Sequence, residues 1–173
     1  MLTTLHEGWA LIEPYIASYG ALAIFFMIYF ESLGLPLPGE TGAIAAALLA
    51  AKGELSIVSV YVAVLSGAIL GDSTGYLIGR FGGRALLQSL GPYIRLTPER
   101  LAGIEARFQR GSLLLIMIAR FIPVMRQLNG LLAGSFAVPW HRFLAAQAIG
   151  ALLWTSVYCL GPYFFGELFQ HPR

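Results

Sequence analysis

Two stretches of twenty-four residues, Leu55 to Ile78 and Phe143 to Gly166, hold a single charged side chain between them, Asp72. Stretches this long and apolar are full spans of a bilayer core about 30 Å thick. The composition agrees: 57% of residues are hydrophobic, 12% are charged and the mean hydropathy is +0.72, where soluble domains have about half apolar and a quarter charged residues. The chain is therefore expected to be an all-α integral membrane protein. Four or five membrane segments are expected to use nearly all of its 173 residues, which would leave no room for a soluble catalytic domain.

A third span is expected over the uncharged run Tyr15 to Phe30, extended by Leu11 and Ile12. Met1 to Pro14 carries Glu7 and Glu13 but no Lys or Arg, and the apolar run after it leads into Glu31 rather than a small-residue cleavage site, which argues against a cleaved signal peptide. Residues 80–112 form a linker with six arginines against two glutamates, which the positive-inside rule places in the cytoplasm. Thr97 and Pro98 read as the start of a helix over 98–110 lying along the surface. Arg80 is read as snorkelling to the interface. This gives a multi-pass protein of the plasma (inner) membrane, with the N-terminus inside and the C-terminus outside. A net charge of +2 is too mild for nucleic acid. Cys159, the sole cysteine, reads as packing, and His6, His141 and His171 show no ligand spacing.

Two segments break the apolar pattern. Pro36, Pro38 and Gly39 separate Glu31 from Glu40, and the small-residue stretch Thr41 to Ala51 is too short to span. The design returns in Arg120-Phe-Ile-Pro-Val-Met-Arg126 followed by Gln127 to Val138, then an interfacial turn at Pro139 to Arg142. Irregular backbone at membrane depth is tolerated only where it is buried in protein or lines a wet cavity, so both segments are expected to be re-entrant helical hairpins. Gly67-Ala-Ile-Leu, Ser73, Tyr76 and Gly79 recur with one deletion as Gly150-Ala-Leu-Leu, Ser156, Tyr158 and Gly161. Halves of about 11–79 and 113–167 are expected, forming an inverted repeat because each has an odd number of spans.

Glu31, Glu40, Asp72, Arg120 and Arg126 are the candidate translocation residues. A charge at the bilayer centre costs about 2.5–3.5 kcal/mol on insertion scales, so each is expected to have a partner. Inverted hairpins would bring the acidic and basic sets together near the midplane. Structural salt bridges alone would satisfy that demand. Yet leucine packing would associate the helices without desolvating five ionisable groups, which favours a polar substrate. The planar five-donor fork of arginine suits phosphate, and a buried carboxylate suits proton uptake and release. With no Ser-His-Asp set, P-loop or metal cluster, the sequence gives no sign of an enzyme or of a cofactor.

An ordered set of motifs resembles the DedA family, also called the SNARE-associated or VTT-domain family. It comprises Phe30-Glu31 with Pro36-x-Pro38-Gly39-Glu40, Gly67-Ala with Gly71-Asp72 and Tyr76-x-x-Gly79-Arg80, and Glu105-x-x-Phe108 with Gly111. Arg120-Phe121-x-Pro123-x-x-Arg126, Ala133-Gly134 and Gly150-x-x-x-Trp154 complete it. The resemblance runs from about Phe26 to Gly166. It implies lipid translocation tied to the proton motive force: flippases for undecaprenyl phosphate or proteins acting on phosphatidylethanolamine among bacterial relatives, and phospholipid scramblases among eukaryotic ones. By motif position, Glu31 and Glu40 match the essential acidic residues of the family and Arg120 and Arg126 its essential arginines. Many relatives continue into a further helix beyond the position of Gly166.

The leading expectation is thus a transporter of a phosphate-bearing lipid. A proton- or cation-coupled small-solute antiporter and a structural membrane organiser stand as alternatives. Glycine and alanine stretches at 41–51 and 130–135 permit tight helix contacts, within one chain or between copies of a homo-oligomer.

Overall fold

The computed structural model describes residues 19–90, 97, 99, 102–103, 105–106 and 113–170, and among them the regular structure is helical throughout. Helix α1, Tyr19–Ser32, is followed by a break and α2, Gly39–Ala51. Helix α3 runs Ile57–Leu90 with non-helical backbone at Gly83. The second set is α4 Leu113–Ala119, α5 Pro123–Ser135 and α6 Trp140–Thr155, continuing through a π-turn, Ser156–Leu160, into α7, Gly161–Gln170. Two stretches are long and apolar enough to cross a bilayer, Ile57–Gly83 and Trp140–Leu168.

The prolines start helices more often than they end them. Pro123 occupies the first position of α5, where its missing N–H costs nothing, and Pro38 and Pro139 sit at the N-caps of α2 and α6. The expected boundaries shift accordingly. The expected broken segment 120–126 is already helical from Pro123, so Arg126 lies in the first turn of α5, and the anticipated turn at Trp140 to Arg142 is helical too. Glu31 lies inside α1, which runs past the expected end of the first span at Phe30; Tyr15 to Ser18 fall outside the described residues. α3 continues past Ile78 through Arg80, because nothing before Gly83, with φ 56° and ψ −154°, breaks it. Most of the expected 98–110 helix also lies outside the described residues, although Glu99, Ala102, Gly103, Glu105 and Ala106 are helical. The Glu99 carboxylate accepts hydrogen bonds from its own backbone N–H and the Thr97 hydroxyl, which hold its pKa below the ordinary value. Pro162 removes a backbone donor just beyond the π-turn, which is where a helix of this length absorbs such a loss.

α2 and α5 are both thirteen residues long and end in the same cap. After α2, Gly53 N–H donates to Ala50 and Glu54 N–H to Leu49; after α5, Ala137 N–H donates to Gly134 and Val138 N–H to Ala133. Both caps need a left-handed residue, supplied by Gly53 (φ 80°) and by Ala137 (φ 58°). Alanine is strained there, so Ala137→Gly is expected to stabilise the protein by about 0.5–1 kcal/mol after the extra unfolded-state freedom of glycine is subtracted. A thermal melt of the purified protein in detergent checks this.

The long helices lie antiparallel. Tyr61 Oη meets Ser156 Oγ at 2.9 Å, Gln147 Nε2 donates to the Ala68 and Ile69 carbonyls, and Tyr76 stacks on Phe143 with ring centroids 4.9 Å apart, so α6 runs backwards along α3. One apolar cluster joins α1, α2, the first half of α3 and the end of α6 through Ile28, Ala43, Val64 and Trp154. The other joins the second half of α3 to α4, α5 and the start of α6 through Tyr76, Ile116, Leu132 and Phe143. Three glycines of α3, Gly67, Gly71 and Gly79, let the neighbours reach its backbone. A Cβ at Gly67 or Gly71 would strike the Phe25 or Tyr29 carbonyl of α1, and one at Gly79 would strike Leu131 of α5. Gly130 and Gly134 of α5 reciprocate against the Asp72 and Tyr76 carbonyls.

The burial pattern is that of a protein solvated by lipid. Asp72 is 0% exposed and Arg120 2%, whereas Leu70, Leu152 and Val157 are 50%, 45% and 59% exposed. Water would reverse that arrangement.

Candidate functional site

The five candidate residues come from five places on the fold: Glu31 near the end of α1, Glu40 in the first turn of α2, Asp72 in mid-α3, Arg120 in the break before α5, and Arg126 in the first turn of α5. The structure joins them in two groups. Arg126 Nη2 donates to Glu31 Oε1 at 2.7 Å, and its Nη1 lies 3.3 Å from Glu40 Oε1. The second contact is charge attraction without hydrogen-bond alignment, so Nη1 keeps an unused donor. Arg120 Nη1 forms a buried ion pair with Asp72 Oδ2. Four of the five are almost wholly buried, and only Glu40, with its side chain 35% exposed, reaches the outside.

The local sequence builds these contacts. Glu31 Oε1 also accepts the Gly39 N–H at 3.2 Å, so the carboxylate sits on the N-terminus of α2, where the exposed amides and helix dipole favour an anion. A Cβ on Gly39 would occupy the position of that carboxylate. Gly39→Ala is therefore expected to push Glu31 off both the amide and Arg126, at a cost of about 2 kcal/mol, the range of a hydrogen bond to a charged group. Thermal unfolding in detergent reads the loss.

The wall opposite is one face of α6. The Arg126 guanidinium lies over the Trp154 ring, 4.6 Å from its centroid, a cation–π contact made by the same group that faces the two carboxylates. A Cβ at Gly150 would come 3.3 Å from Met117 Cα, so this glycine lets α6 pack closely on the backbone of α4, just ahead of Arg120. Gln147, one turn earlier, is fully buried and ties α6 to α3. Trp154, Gln147, Thr155 and Asn129 were absent from the candidates read from sequence. Gly150-x-x-x-Trp154 was visible as a motif, but its role depends on how α6 crosses α5.

The site carries unused hydrogen-bonding capacity. Buried polar atoms are normally paired, yet Asp72 Oδ1, Arg120 Nε, Asn129 Oδ1, Gln147 Oε1, Trp154 Nε1 and Thr155 Oγ1 have no partner among the described residues. Three carboxylates face two guanidiniums, so the group as a whole is neutral only with one proton bound.

Comparison with known proteins bears directly on this arrangement. The family model described as the VTT domain matches residues 37–164, a stretch holding Glu40, Asp72, Arg120 and Arg126. The chain belongs to the DedA (VTT-domain) family. Protein DedA of Escherichia coli is 32% identical over 161 residues, 88% of this chain and 73% of the relative. An uncharacterized membrane protein of Synechocystis is 35% identical over 157 residues, 91% of this chain and 72% of the relative. One from Mycobacterium tuberculosis is 37% identical over 168 residues, 92% and 77% of the two chains. No solved structure matches the chain. These relatives, the two apolar spans and the outward-facing apolar surface make this DedA-family chain a membrane protein.

Proposed function

We propose that the protein translocates a phosphate-bearing lipid, such as undecaprenyl phosphate or a phospholipid, across the plasma membrane, with Arg126 exchanging carboxylates for the phosphate of the headgroup. The single observation that carries this reading is the double engagement of Arg126. Its guanidinium lies over the Trp154 ring and faces two carboxylates, one held fast at the α2 N-terminus and one, Glu40, reaching the surface. Phosphate presents the same paired oxygens that arginine binds in carboxylates.

The exchange proceeds as follows. A proton on Glu40 releases its attraction for Arg126 Nη1, the phosphate takes the freed donor, and loss of the proton favours return of the carboxylate and departure of the lipid. Protons thereby couple to lipid movement. Arg120, locked to Asp72, holds α3 against the break before α5 and offers Nε as a further donor. The matching lengths and caps of α2 and α5, together with the antiparallel course of α3 and α6, support an inverted repeat. In that reading α1–α2 and α4–α5 are re-entrant hairpins of a multi-pass protein, and the lipid tail stays in the bilayer while the headgroup passes between their tips.

The test is a proteoliposome assay with a fluorescent phospholipid or labelled undecaprenyl phosphate, run with and without a pH gradient. The native protein is expected to move the probe and to respond to the gradient, while Glu40→Gln, still folded, loses the response. A native protein that dissipates the gradient against a cation yet leaves the lipid in place would be an antiporter. One inert in both respects would be a structural organiser.

A further inference from the structure

A groove of about 630 Å3 lies away from the charged cluster, lined by Tyr76, Leu77, Arg80, Val138, Pro139 and Trp140 among others. Its depth in the bilayer follows from the fold. Arg80 is three residues from the end of the apolar stretch Ile57–Gly83, and Trp140 is the first residue of Trp140–Leu168. Because the two helices are antiparallel, the groove lies where one span ends and the other begins, at the level of lipid headgroups.

Its chemistry is that of a lipid site with a sign. Arg80 is exposed and has no acidic partner among the described residues. Trp140, 40% exposed, supplies the amphipathic ring favoured at that depth, and Leu77, Val138 and Pro139 make an apolar wall for an acyl chain. The groove is also held in shape. Tyr76 Oη donates to the Val138 carbonyl at 2.6 Å, and its ring packs against Trp140 with centroids 5.0 Å apart.

We infer that this groove is a binding site for an anionic phospholipid, whose headgroup phosphate pairs with Arg80 while one acyl chain lies along Leu77 and Val138. The site is separate from the Arg126 cluster and holds a lipid whether or not lipid crosses the membrane. A full positive charge at this level is worth about a five-fold preference for an anionic over a zwitterionic headgroup.

The experiment titrates delipidated full-length protein in detergent with phosphatidylglycerol or phosphatidylcholine and counts bound lipid by native mass spectrometry. The native protein and Arg80→Lys are expected to bind phosphatidylglycerol about five-fold more tightly, and Arg80→Gln to bind both lipids alike. Arg142→Gln, which removes an exposed charge outside the groove, should keep the preference. A photoactivatable phosphatidylglycerol should label the segment 137–140. Equal affinity for the two lipids in the native protein, or equal loss of preference in Arg80→Gln and Arg142→Gln, overturns the site, as does labelling elsewhere. None of these readouts depends on translocation, so failure here leaves the transport reading standing, and the reverse holds too.

Discussion

Asp72→Ala is expected to destabilise the protein by about 3–5 kcal/mol, the cost of stranding one member of a buried ion pair. Arg120 is only 2% exposed, the Asp72 carboxylate is its ion-pair partner, and its Nε already lacks a hydrogen-bond acceptor among the described residues. Removing Asp72 leaves a guanidinium at the crossing of α3 with the break before α5, where the Gly130 backbone packs directly on Asp72. The double variant Asp72→Ala/Arg120→Met removes both charges and should recover most of the loss, because a buried pair replaced by apolar groups of similar volume is often neutral. Thermal unfolding of the native protein, Asp72→Ala, Arg120→Met and the double variant in one detergent gives the cycle. A single variant as stable as the native protein would mean that the pair is not a structural tie.

Arg126→Lys is expected to slow translocation of a phosphate lipid at least ten-fold, the effect of roughly 1.4 kcal/mol lost at the phosphate, while leaving the protein folded. The lysine keeps the positive charge that neutralises Glu31. It lacks the flat fork that lies on Trp154 while facing Glu31 and Glu40 from two nitrogens. The comparison separates charge balance from bidentate recognition. A lysine variant that transports at the native rate would assign Arg126 to charge balance alone.

Much of the fold was legible in the chain because the bilayer imposes few solutions. The long charge-poor stretches gave the two spans, and Pro36, Pro38 and Gly39 gave the break between α1 and α2. The positions of the charges showed that they needed partners, since the cost of burial is local to each residue. Which partner each one takes was not legible, because the pairing of Arg120 with Asp72 and of Arg126 with Glu31 and Glu40 depends on how α5 crosses α3 and α1. The glycines of α3 were visible one by one, but their shared role appears only when Phe25, Tyr29 and Leu131 are seen to press on them. Pro123 reads as a breaker in a string and as an initiator at the first position of a helix, and the difference puts Arg126, read as part of the broken segment, in a regular helical turn.

The central claim is recognition of a phosphate headgroup. Its most direct test is the rate at which the native protein moves undecaprenyl phosphate compared with undecaprenol in the same proteoliposomes. The account predicts that the phosphate form crosses faster in the presence of protein while the alcohol crosses at the protein-free rate. Equal acceleration of both lipids, or of neither, would contradict it.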